Sequence, residues 1–136
     1  MKIMAVEYGV VRTGVAFSDI TEKLASPYTV INEKYQPKLI DKLCEIIKTE
    51  NAEKIVVGLP KNMDGSESFR AEKTHAFAEM LRSEFDLEII FVDERLSTVQ
   101  AYTYLNITDF NGKKRKKVID ALSAQIILQS YLDMKK

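Results

Sequence analysis

The residues in this chain most able to do chemistry are acids placed where acids are costly. Glu7 directly follows the apolar run Ile3 to Val6. Asp93 and Glu94 directly follow Ile89 to Val92, and Asp120 interrupts the apolar pattern of the last helix. A carboxylate at the end of a buried strand is unfavourable unless it is paired or holds a metal. Open α/β sheets keep their ligands in the crevice at the carboxyl ends of their strands. Carboxylates from distant parts of the chain could therefore meet at one rim. Such a set suits Mg²⁺ or Mn²⁺, hard ions that bind phosphate groups alongside one or two carboxylates. The same acids could instead cap helices or pair with Arg12 and Arg95. Spacing alone leaves both readings open.

The positive charge is also concentrated. Lys113, Lys114, Arg115, Lys116 and Lys117 form an unbroken basic run just before the helix that carries Asp120. Such a run is usually solvated surface. A protein with no net charge that binds a polyanion must nevertheless gather its cations somewhere. Gly112 ahead of the run predicts a loop able to close over a nucleic-acid strand. Arg12 and Arg95 adjoin the acids, where they could grip phosphate or neutralise the acids internally. His75, the single histidine, falls on a helix surface, and Cys44 lies beside an apolar stripe, where packing explains it. Asn62, Asp64 and Ser66 could shape the rim or form only a turn and a helix cap.

The elements that must position these residues follow from periodicity. Ile3 to Val6 and Val15 to Phe17, bracketing Gly9 and Gly14, predict a β-hairpin. Tyr28 to Ile31 suits a third strand. Leu39, Ile40, Leu43, Ile46 and Ile47 recur at helical spacing, predicting a helix over 37–50. Ile55 to Val57 and Ile89 to Val92 read as strands buried on both faces. Phe69, Phe77, Met80 and Leu81 outline a second helix. Ser97 and Gln100 match a capping box that opens a third. A last helix runs from about Lys117 through Ile119, Leu122, Ile126 and Leu132. The expected fold is α/β. It is a mixed five-stranded sheet with an antiparallel meander of strands 1–3 and parallel strands 4 and 5, flanked by helices.

A length of 136 residues predicts a single domain over 1–136. Hydrophobic residues at 46% and charged residues at 29% exclude a disordered chain. Lys+Arg and Asp+Glu are 20 each, which excludes a histone-like binder but not a local basic patch. No apolar run reaches the ~18–20 residues that span a bilayer. One cysteine cannot form an internal disulfide, and Glu7 breaks any apolar signal core. A cytoplasmic protein with no membrane partner is expected.

Several segments together resemble one family. Glu7-Tyr8-Gly9, then Arg12-Thr13-Gly14-Val15-Ala16 and Ser18-Asp19, resemble its opening D-x-G-x-x-R-x-G-x-A-x-S-D. Val56 to Pro60, followed by Asn62-Met63-Asp64-Gly65-Ser66, resembles its VVGLPxNMDGS segment. Asp93 to Thr98 is similar to its DERLST, and Ile119-Asp120 through Leu128 to its last helix. The family is YqgF, also called RuvX, which has an RNase H-like fold related to the Holliday-junction resolvases. The resemblance implies metal-dependent hydrolysis of phosphodiester bonds in structured RNA, in 5′-end processing of pre-16S ribosomal RNA during ribosome biogenesis. It implies a catalytic, metal-holding set of Glu7, Glu94 and Asp120, with Asp93 as a close neighbour and Mg²⁺ or Mn²⁺ as cofactor. Two other functions fit the same residues: a resolvase-like nuclease acting on branched DNA, and a catalytically weakened nucleic-acid-binding factor. The third rests on Glu7, which stands where the family carries Asp. Its side chain is one carbon–carbon bond longer, roughly 1.5 Å, where catalytic constellations tolerate only about 0.5 Å. Gln100 in place of the family Glu still completes a capping box.

Overall fold

The computed structural model describes residues 1–61, 64, 66, 67, 69–93 and 112–135, with the stretch 112–120 described by its backbone. Five strands and three helices are present among them: β1 (Ile3–Glu7), β2 (Arg12–Ser18), β3 (Ala25–Asn32), α1 (Gln36–Glu50), β4 (Lys54–Leu59), α2 (Phe69–Arg82), β5 (Glu88–Asp93) and α3 (Gly112–Met134). The strands form one sheet in the order β3-β2-β1-β4-β5. β1 pairs antiparallel with β2 and parallel with β4, β2 pairs antiparallel with β3, and β4 pairs parallel with β5. This is the expected mixed sheet, with the meander on one side and the parallel crossovers on the other. The third helix expected from Ser97 to Gln100 lies outside the described residues.

The sheet separates two cores, and the strand pleat assigns residues to them. Side chains alternate between faces along a strand. Met4 and Val6 of β1 join Val15, Ile55 and Val57 under Leu39, Leu43 and Ile47 of α1 and Phe77 and Leu81 of α2. Ile3 and Ala5 of β1 join Ala16, Ala25 and Val56 under Ala124, Ile127, Leu128, Tyr131 and Leu132 of α3. α1 and α2 therefore cover one face and α3 covers the other.

Local chemistry sets the ends. Pro37 in the first turn of α1 fits where an amide would be unpaired anyway. Asn51 closes α1 in the left-handed conformation, φ 57°. Asp19 holds the β2–β3 turn, its Oδ1 accepting from the amides of Lys23 and Leu24 at 2.9 Å each. Those donors, chiefly the Leu24 amide, pull its carboxyl far below the ordinary range.

Two expectations are corrected, on β5 and on the start of the last helix. β5 is not buried on both faces: as the outer strand of the sheet, its Ile89 to Val92 are only half-buried. Phe69 opens α2, in keeping with the expected outline of that helix. It is 68% exposed, while Ala71, Thr74, Phe77, Ala78 and Leu81 face inward. The last helix begins at Gly112 rather than near Lys117, so the basic run is its opening turns and not a loop.

The two-sided core predicts a graded response to truncation. Leu128→Ala, at a fully buried position on α3, should cost about 2–5 kcal/mol in denaturant unfolding. Leu24→Ala, at a position 67% exposed, should change stability by less than about 0.5 kcal/mol. Equal effects would mean that α3 is not clamped to the sheet by this contact.

Candidate functional site

The same pleat that fills the cores aims Glu7. It follows Ile3 and Ala5 in the alternation, so its side chain projects on the α3 face of the sheet, with Oε2 buried. Tyr8 takes the opposite face, where its ring stacks on Phe77 at 4.4 Å and its hydroxyl accepts from Gln36 Nε2 at 3.3 Å. On β2, Glu7 pairs with Gly14. On β4, Val6 pairs with Val57, so the next rung brings Gly58 alongside Glu7. Neither neighbour has a side chain, so on both adjoining strands the sheet beside this carboxylate is backbone alone. Arg12 shares the parity of Gly14 and Ala16 and lies on the Glu7 side of the sheet.

The strand ends also separate the two neighbouring acids of the second segment. Ile90 and Val92 pack toward the α3 core, and Ile89 and Phe91 toward the other. Asp93 continues the row of Ile89 and Phe91 and is exposed, on the side of the sheet away from Glu7. Glu94 and Arg95 lie outside the described residues, as do Asn62 and Gln100.

α3 starts near the Glu7 rim and runs antiparallel to β4 toward the start of that strand. Near its C-terminal end, Tyr131 accepts a hydrogen bond from Lys54 Nζ at 3.2 Å, at the start of β4. Gln125 and Gln129 bond the backbone of Ala25 at 3.1 and 2.9 Å. Position 120 lies roughly 16 Å up the helix axis from Tyr131. The Gly58 rung, beside Glu7, lies roughly 13 Å along β4 from Lys54. Position 120 also falls on the row of Ala124, Ile127 and Tyr131, the row that faces the sheet. The helix backbone thus brings residue 120 level with Glu7 on the same face. Lys113 to Lys117 occupy the first turns of this helix, with no acid among them.

The remaining candidates are structural. Asp64 Oδ1 accepts from the amide and hydroxyl of Ser66 at 2.9 and 2.6 Å, an ordinary turn. His75 lies 3.3 Å from Glu67 and packs on the Phe91 ring. Cys44 packs against the first core, and burial pushes its thiol up, so it stays protonated and unreactive. No group of three metal-ligating side chains is complete among the described residues. No helix among them is long and apolar enough to cross a membrane.

Comparison with known proteins decides the family. Residues 1–134 match the family described as "RuvX: Holliday junction resolvase". The chain belongs to the RuvX family. Two relatives in it carry the name "Putative pre-16S rRNA nuclease". The one from Fusobacterium nucleatum is 46% identical over 99% of both chains. The one from Caldanaerobacter subterraneus is 44% identical over 100% of this chain and 99% of the other. Among solved structures, Thermus thermophilus RuvC bound to a Holliday junction superposes with a TM-score of 0.60. Its sequence identity is 11%, covering 99% of this chain and 95% of that one. The fowlpox virus resolvase bound to junction DNA gives a TM-score of 0.60 at 12% identity, covering 99% of both chains. These neighbours bear out the RNase H-like sheet for this RuvX chain.

Two features were not read from the sequence. The bare rungs beside Glu7 need the β1–β4 register, which Gly58 alone does not reveal. Gly9 is the other. A Cβ there would meet the Arg12 carbonyl oxygen at 2.2 Å, so the turn between Glu7 and Arg12 closes only around glycine. Gly9→Ala should therefore destabilise the protein by roughly 1–3 kcal/mol, because the obstructing atom is backbone. Chemical denaturation checks it, and an unchanged midpoint would contradict this turn geometry.

Proposed function

We propose that this chain is a single-domain, cytoplasmic, metal-dependent endonuclease acting on structured RNA, in 5′-end maturation of pre-16S ribosomal RNA. The observation that carries the reading is the meeting of Glu7 and helix position 120 at one height on one face. They come from opposite ends of the chain, beside two strands that offer only backbone. The RNA substrate is supported by full-length relatives at 44–46% identity that bear the pre-16S rRNA name.

In this reading Glu7, Asp120 and Glu94 hold the ion. The donor set fits Mg²⁺ or Mn²⁺, since all three are hard carboxylate oxygens and Glu7 presents one that is buried. When bound, the metal supplies a water of lowered pKa and stabilises charge on the phosphodiester oxygens. Arg12, on the Glu7 side, and Arg95 grip the phosphate flanking the scissile bond. Lys113, Lys114, Arg115, Lys116 and Lys117, at the positive end of the α3 dipole, draw in the polyanion. The Asp93 side of the sheet favours Glu94 as the ligand of that pair.

Glu7 sets the activity. Its extra methylene moves the carboxylate by more than such sites tolerate, and displacement by about 1 Å can cost on the order of a hundredfold in rate. Glu7→Asp should raise single-turnover, Mg²⁺-dependent cleavage of a structured 16S-precursor RNA by up to about a hundredfold. Glu7→Gln should abolish it, together with calorimetric Mn²⁺ binding. Faster cleavage of a four-way DNA junction than of RNA would assign the site to branched DNA. Absence of cleavage by both the wild-type chain and the Glu7→Asp variant, RNA binding being intact, would make the protein a binding factor.

The ligand role of Asp120 separates chemistry from folding. Asp120→Asn keeps the shape and removes the charge. Mn²⁺ affinity should fall at least tenfold while the melting temperature holds or rises. A drop of several degrees in metal-free buffer would instead make Asp120 part of a structural ion pair.

A further inference from the structure

Across the β1–β2 turn from Glu7 lies a cavity that the nuclease reading does not use. It sits between that turn and the start of α2, lined by Tyr8, Gly9, Val10, Arg70, Lys73 and Thr74. Its floor is fixed. Tyr8 is stacked on Phe77, and the buried Thr74 hydroxyl donates to the Arg70 carbonyl at 3.0 Å. Its polar function therefore falls to two exposed cations. Among the described residues no carboxylate lies within 4.0 Å of Arg70 or Lys73. Lys73 instead places its ammonium 4.7 Å from the Phe69 ring centroid.

The helix dipole does not explain these cations. Arg70 stands in the first turn of α2, where the macrodipole disfavours positive charge, and Lys73 follows it one turn on. An anion between them would reverse that cost. The rim is apolar, with Val10 61% and Phe69 68% exposed. Paired cations beside exposed apolar side chains suit a nucleotide, which offers a phosphate together with sugar and base faces.

The position gives the cavity its role. Glu7 and Tyr8 are consecutive residues whose side chains leave the sheet on opposite faces. A strand reaching Glu7 over the sheet end can continue across the turn into the cavity. We propose that this cavity is a second phosphodiester-binding subsite, in which Arg70 and Lys73 hold a backbone phosphate adjacent to the cleaved segment of the same nucleic-acid strand. The subsite rests on the nuclease reading for its ligand. It is separate from the metal-holding acids and from the basic start of α3.

Binding under non-cleaving conditions tests it. Fluorescence anisotropy with the full chain, in EDTA, would follow an RNA hairpin with a single-stranded 5′ extension from low to high salt. Each lost phosphate contact lowers the slope of log affinity against log salt by about 0.7 for single-stranded and 0.9 for duplex nucleic acid. Arg70→Gln/Lys73→Gln should flatten it by about 1.4–1.8, weaken binding at 0.15 M salt roughly tenfold and leave the melting temperature unchanged. Arg70→Gln and Lys73→Gln singly should each give about half the change in slope. Lys38→Gln/Lys48→Gln, on exposed positions of α1, should change nothing. Wild-type binding with an unaltered slope in the Arg70/Lys73 variants, or an equal change in the α1 control, overturns the subsite and leaves the nuclease reading standing. A wild-type chain that does not bind the RNA at low salt overturns both.

Discussion

β1 is buried on both faces, and that burial decides where its last side chain goes. Met4 and Val6 are fixed in the core beneath α1 and α2, Ile3 and Ala5 in the core beneath α3. A slip of one residue would send every one of them to the wrong side. Glu7 has no freedom in the matter: it emerges on the α3 face because its four predecessors are locked. The same register sets Gly14 and Gly58 beside it and turns Tyr8 the other way. Two interior faces thus prescribe the chemistry at the rim.

Charge follows a comparable logic. The chain as a whole is neutral, yet its cations are unevenly spread. Five sit in the first turns of α3, the helix that also carries Asp120, and two flank the turn after Glu7. Both groups occupy helix starts, where the dipole gives cations no support. A polyanion crossing the sheet end would meet positive charge on either side of Glu7 and helix position 120.

Much of this was legible in the sequence because the decisive strands are short apolar runs. Ile3 to Val6 and Ile55 to Val57 can be little else in a chain this size, and Leu39 to Ile47 marks its helix by spacing alone. The family motifs point to Glu7, Glu94 and Asp120, of which the described residues include the side chain of Glu7 and the backbone of residue 120. The failures have physical causes. The opening of α3 has no apolar residue until Val118, so a search for hydrophobic periodicity starts the helix too late. Ile89 to Val92 has the composition of a central strand and the position of an outer one. Strand order depends on pairing between distant segments, which composition does not carry. For the same reason the cavity joining Tyr8 to Arg70 and the bare rungs around Glu7 became visible only with the register in hand.

The central claim is that Glu7, from the end of β1, and Asp120, from the sheet-facing row of α3, share one divalent ion. A crystal structure of the wild-type protein soaked in Mn²⁺, with anomalous scattering collected to locate the metal, tests it most directly. The account predicts a single strong anomalous peak on the α3 face at the β1 terminus, within about 2.5 Å of carboxylate oxygens from both Glu7 and Asp120. A peak coordinated elsewhere, or a Glu7 carboxylate engaged only by Arg12 at saturating Mn²⁺, would contradict it.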